Sequence, residues 1–274
     1  MNKLKMPTYF LSHGGGPWPW MKDEMPFYDA LEKSLKEIPS QFPAKPKAIL
    51  MVSAHWEEKE CTVTSNPNPP MLYDYGGFPE HTYHIKYPAP GSPELAKQVH
   101  QLLQSAGFPA QFDAKRGFDH GAFVVAYSMY PNADVPMIQL SLKKDYDPKD
   151  HIEIGRALAP LRENGIVIVG SGLSYHNLRA MMTGDRSAGP ASKAFDDWLQ
   201  KTVIESTTHE RVQKLLHWSE APSARLAHPR EDHLIPLMVA VGAAENEDAS
   251  VIYHEETFMG NITASSFKFG GVYV

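Results

Sequence analysis

Three short apolar runs of this chain are each followed, within a few residues, by a histidine. Residues 8–11 precede His13, residues 48–52 precede His55, and residues 166–169 precede His176. Imidazole nitrogen is the commonest protein ligand for iron and zinc near neutral pH. If the runs are strands of an open parallel sheet, their carboxyl ends can bring distant histidines to one point. The pattern points to a mononuclear metal site. The chain has 13 histidines but one cysteine, Cys61, so histidine and carboxylate must hold any transition metal and no intrachain disulfide can form.

Each histidine also has a plainer explanation. His13 lies in Leu-Ser-His-Gly-Gly-Gly-Pro, where glycines let the backbone approach a ligand; the alternative is a loop histidine beside a structural turn. His55 lies in Ser-Ala-His-Trp-Glu, with Trp56 expected to cover one pocket wall; the alternative is a cap on a sheet edge. His176 follows a Gly-Ser-Gly that lacks the third glycine and the helix of a dinucleotide fingerprint. His120, in Gly-Phe-Asp-His-Gly, precedes a short helix, whose N-terminus favours a neutral imidazole suited to acid–base work; the alternative is a loop hydrogen bond. His228 and His233 flank Glu231 and Asp232, which could be ligands, helix-start carboxylates, or partners of an imidazole N–H. His81, His84, His100, His151, His209, His217 and His254 have no comparable context and read mostly as solvated surface residues. There is no His-Glu-x-x-His helix, no Gly-x-Ser-x-Gly elbow and no P-loop, and nothing beside Cys61 marks it as a nucleophile.

The elements that must position these groups alternate. Strands are expected at residues 6–12, 47–53, 61–64, 111–113, 135–142 and 165–170, and helices at 21–37, 92–106, 122–129, 150–164 and 232–244. Two or three further helices fall between 191 and 216. Residues 66–90, rich in Pro, Gly and Tyr, read as an ordered insertion with an edge strand near 82–86. Two closing strands, 250–254 and 265–269, are expected to pair antiparallel at one edge. The expected fold class is α/β: a single catalytic domain over 1–274, a three-layer sandwich with a mostly parallel central sheet and helices on both faces. A net charge of −6 argues against nucleic-acid or anionic-membrane partners, and no apolar run reaches the roughly 20 residues a bilayer span needs. Residues 1–7 are not followed by a signal-peptide apolar core, so a cytoplasmic protein is expected, as a monomer or small homo-oligomer.

Eight ordered segments, at 11–17, 53–56, 75–79, 117–121, 129–131, 136–141, 170–179 and 228–237, together resemble the class III extradiol ring-cleavage dioxygenases, in the branch of the DOPA 4,5-dioxygenases. The resemblance implies cleavage of a catechol-type ring by O2 at non-haem Fe(II), with Zn(II) as an alternative occupant. It implies His13, His55 and His233 as metal ligands, His176 as a further ligand or base, and His120 as a catalytic acid–base group. Trp56, Tyr75 and Arg179 are expected to contact substrate, the arginine through a carboxylate of the substrate. Trp18, Trp20, Tyr73 and Phe123 are further candidates to wall off a flat ring, or else core residues. Two positions depart from the family pattern: Gly15 stands where serine is common, and Tyr75 is followed by Gly76 and Gly77 rather than one glycine. A zinc hydrolase on the same histidines, and a non-catalytic binding protein of the same fold, are the competing expectations.

Overall fold

The computed structural model describes residues 5–271, so residues 1–4 of the segment weighed as a leader lie outside it. Strands β1 (Thr8–Ser12), β2 (Ala48–Glu58), β3 (Cys61–Thr64), β4 (Ala110–Asp113), β5 (Met137–Lys143), β6 (Ile166–Gly172), β7 (Ala249–Phe258) and β8 (Ile262–Phe269) form one sheet in the order β4-β3-β5-β2-β6-β1-β8-β7. Its centre, β5-β2-β6-β1, is parallel. These four strands are apolar runs buried on both sides over most of their length, the pattern a sheet covered on both faces requires. β8 runs antiparallel to β1 and to β7, as expected for the closing strands. The opposite edge was not anticipated: β3 meets β5 antiparallel and carries β4 parallel beside it.

The helices are α1 (Asp29–Glu37), α2 (Pro93–Ser105), α3 (His120–Met129), α4 (Pro148–Leu158), α5 (Leu178–Thr183), α6 (Ala188–Gln200), α7 (Thr208–Leu216), α8 (Ala224–Ala227) and α9 (Ile235–Ala243). Alternate residues of β6 show that α3 and α9 lie on opposite faces. Ser171 donates to the Gly121 carbonyl of α3, whereas Gly170 and Gly172 abut the carbonyls of Pro236 and His233. The three-layer arrangement expected from the alternation is therefore present. Helix α9 is buried at every position because α4 covers its outer side. The two helices touch backbone to backbone, and a Cβ on Gly242 would lie 2.0 Å from the Ile152 carbonyl oxygen.

Several elements differ from expectation for identifiable reasons. Residues 80–84 form a 3₁₀ turn rather than the edge strand expected near 82–86, because Thr82 bonds the Pro79 carbonyl with both its backbone N–H and its hydroxyl. The helix expected over 21–37 starts at Asp29, after a 3₁₀ turn that Pro26 opens; the residue before a proline disfavours helical geometry. The helix expected over 150–164 changes to 3₁₀ at Ala159, next to Pro160, and ends on Gly165 at φ 84°. His151, read as a surface residue, is buried: its Nδ1 bonds the Asp147 carbonyl, and its Nε2 accepts from Lys143 N–H.

Candidate metal centre

In the sheet, β2, β6 and β1 are neighbours, so their carboxyl ends open side by side. His13 follows β1, and His55 lies in β2 where the register with β5 shifts between Val52 and Glu57. Such irregularities re-aim side chains. His120 opens α3, His176 follows β6, and His233 precedes α9. The helix expected from residue 232 begins three residues later, which leaves His233 in the turn before it.

Five imidazoles meet there. His13 Nε2 lies 3.0 Å from His55 Nε2, and His233 Nε2 lies 3.3 Å from the same atom. The His120 ring is centred 4.0 Å from that of His55 and 5.6 Å from that of His13. His176 stacks on His233, with centroids 3.3 Å apart and planes 13° from parallel. Nitrogen atoms of His13, His55 and His120 fall within 4.8 Å of one another, and so do ligand atoms of His176, Asp232 and His233. The cluster could bind a metal ion. The Nε2 contacts cross these two groupings through His55. Two nitrogens held about 2.1 Å from one ion lie about 3.0–3.4 Å apart at near-octahedral to tetrahedral angles. The His13–His55–His233 spacings match that, so the donor set fits a cation.

The surroundings keep the ligand atoms neutral and aimed. Burial, then the neighbouring imidazoles, holds His13 and His233 well below the usual histidine range. Burial and His120 bring His55 down to about 4, against Asp119, Asp74 and Asp232, which pull it up. Burial brings His176 to about 4 as well, against the opposing charge of Asp232. Neutral imidazole is the form a metal needs. His13 Nδ1 lies 2.9 Å from Ser171 Oγ, whose own proton goes to the Gly121 carbonyl, so the serine accepts from His13 and leaves Nε2 with its lone pair. The Asp232 carboxylate lies 3.3 Å from His233 Nδ1, without the alignment of a hydrogen bond, and 4.0 Å from His176 Nδ1.

Beneath His55 and His120 sits a buried polar knot. Asp119 caps α3 through Ala122 N–H and accepts from Ser53, Gln139 and Arg116; Arg116 also donates to the His55 carbonyl. Asp74 accepts from both the backbone N–H and Nδ1 of His120, each at 2.9 Å. Asp74, Ser171, Asp119 and Gln139 were missed in the sequence. Only Asp119 had a signal, as the residue at a helix start before His120.

The expected substrate contacts separate. Tyr75 stands edge-on to His120 at 6.0 Å, and its hydroxyl donates to the Thr82 carbonyl. Trp56 is 2% exposed; its indole packs under the Arg116 guanidinium and donates to Glu58. Arg179 lies exposed on α5. Trp18 is buried against Tyr28, Phe123 is buried with Trp20 on one side and Tyr75 on another, and the Tyr73 hydroxyl donates to the Ile85 carbonyl.

Comparison with known proteins places the chain in one class. Residues 7–270 match the family described as the catalytic LigB subunit of aromatic ring-opening dioxygenase, and the chain belongs to that family. It is 40% identical over 263 residues to a 4,5-DOPA dioxygenase extradiol of Beta vulgaris, with 96% of each chain covered. It is 35% identical to the protein of that name in Escherichia coli K12, over 98% of this chain and 97% of the relative. A crystal structure of an uncharacterized E. coli K12 protein superposes with a TM-score of 0.78 at 33% identity, covering 97% of this chain and all of that one. The resemblance drawn from the eight motifs is borne out, and the chain is an extradiol-type ring-cleavage dioxygenase by family. Among the described residues no helix is long and apolar enough to cross a membrane.

Proposed function

We propose that the protein opens the ring of a catechol-type substrate with O2 at a single non-haem ferrous ion held by His13, His55 and His233. The approach of His13 Nε2 and His233 Nε2 to His55 Nε2 carries this proposal. Bound there, ferrous iron supplies open coordination positions for the two adjacent catechol oxygens and for O2. Three neutral imidazoles leave the centre its full positive charge, which favours a catecholate in a site of low dielectric.

His120 lies beside His55 with Nδ1 engaged by Asp74, so its Nε2 is the atom available to take and return a phenolic proton. His176 is parallel to His233, and two stacked rings cannot aim their lone pairs at one ion. It is therefore assigned to the substrate side rather than to the ligand set. Tyr75 flanks His120 and offers an apolar face to a flat ring. Arg179, exposed near His176, is the cationic group for a substrate carboxylate. DOPA is the first substrate to try, because several relatives carry it in their names.

The test is a screen of catechols with freshly added ferrous iron under air, reading oxygen uptake and the yellow ring-opened product. Uptake with a catechol is expected. Turnover that persists without O2 and rises with zinc would instead make the site hydrolytic.

A further inference from the structure

We propose that Asp74 is a positioning residue that, through one carboxylate, sets both the proton-handling imidazole of His120 and the ligand imidazole of His55; this rests on the function proposed above. Asp74 Oδ1 accepts from the His120 backbone N–H and from His120 Nδ1, each at 2.9 Å. Asp74 Oδ2 lies 3.5 Å from His55 Nδ1. A carboxylate in that position accepts only, so it places the His120 proton on Nδ1 and leaves Nε2 bare toward the cluster.

The chain delivers Asp74 in a fixed register. Phe118 N–H bonds the Pro70 carbonyl and Leu72 N–H bonds the Phe118 carbonyl, so residues 70–74 are stitched along the segment that leads into His120. At Gly117 a Cβ would lie 2.4 Å from the Pro70 oxygen, so only glycine lets the two backbones run this close. Carboxylates that orient metal-bound or acid–base histidines typically change affinity or rate by about 10–100-fold when removed. Here one group serves both.

The test joins a spectrum to kinetics. In zinc-loaded wild-type protein, long-range proton–nitrogen spectra should show His120 protonated at Nδ1 and not at Nε2. Asp74→Asn keeps the shape and the oxygen that both His120 donors share, so the loop stays anchored, but it removes the negative charge that both imidazoles face and puts an amide donor where Oδ2 faces His55 Nδ1. It should move the ring signals of both His120 and His55. At saturating ferrous iron it should lower kcat by about 10–100-fold, with KM for the catechol within about threefold, and it should weaken iron binding by a similar 10–100-fold. A proton on His120 Nε2 in the wild type, unmoved ring signals in the variant, or full recovery of kcat at saturating iron would overturn the assignment. If the variant does not fold, the wild-type spectrum still decides. If wild-type protein consumes no O2 with any catechol, ring cleavage falls while the spectrum continues to judge Asp74.

Discussion

Gly172→Ala tests how tightly the sheet holds the metal site. Gly172 ends β6, and a Cβ there would lie 2.1 Å from the carbonyl oxygen of His233, 3.0 Å from its carbonyl carbon and 3.0 Å from Phe10 Cε2. Real Cβ atoms keep at least 3.0 Å, so the oxygen must retreat by about 0.9 Å. It is a backbone atom that accepts from Leu173 N–H, in a turn tied by Leu234 and Ile235 N–H to the Glu231 carbonyl. It cannot rotate aside as a side chain would, and His233 must move with it. A misplacement near 1 Å costs on the order of 10²-fold in rate, and overpacking a core costs about 1–3 kcal/mol. Competition with a chelator measures zinc affinity, and oxygen uptake measures turnover. Gly76→Ala is the control, since its Cβ would meet nothing within 4 Å. If Gly172→Ala folds and keeps affinity and turnover within about threefold of Gly76→Ala, His233 is not held through this contact and the reasoning fails.

Three further outcomes are expected. His233→Ala should lose bound zinc on gel filtration, whereas His120→Ala should keep it and slow turnover by about 10²–10⁴-fold; the reverse pattern would mean the two roles are exchanged. Arg162 is fully buried and donates to the Met6 and Ala243 carbonyls and to both Glu247 oxygens, so Arg162→Ala should cost about 3–5 kcal/mol in urea unfolding, and a loss under 1 kcal/mol would refute that. Burial lowers His228 to about 3, against its bond to the Ser174 carbonyl, so as pH falls below about 6.5 the unfolded chain takes up a proton the folded one refuses. Stability of chelator-treated protein should be full above that pH and fall by up to about 1.4 kcal/mol per pH unit from this group as pH drops toward 3, with His228→Gln showing a shallower decline.

The parallel centre of the fold was legible because its strands are built on short apolar runs, and so was the gathering of His13, His55 and His176 at their ends. The antiparallel β3–β5 edge was not, since short strands carry no sign of direction. Proline effects at 26 and 160 set boundaries that periodicity alone overran. Of the site, the imidazoles stood out by type and motif. The groups that orient them did not: Asp74 sits between two tyrosines in a loop, and Ser171 sits inside a Gly-Ser-Gly. Their importance comes from contacts across 46 and 158 residues of chain, which no local pattern records. His151 was misplaced for the converse reason: residue type suggested water where packing put core.

The pairing of His13 with Ser171 has a consequence for how the apoprotein meets its ion. Because the serine hydrogen is already committed to Gly121, the imidazole is settled in its coordinating form before any cation arrives. Loading this ring at neutral pH then expels no hydrogen ion and needs no tautomer exchange. Substituting Ser171 would leave all the histidines in place yet slow capture, an injury visible in the loading kinetics of a protein whose crystal structure looked intact.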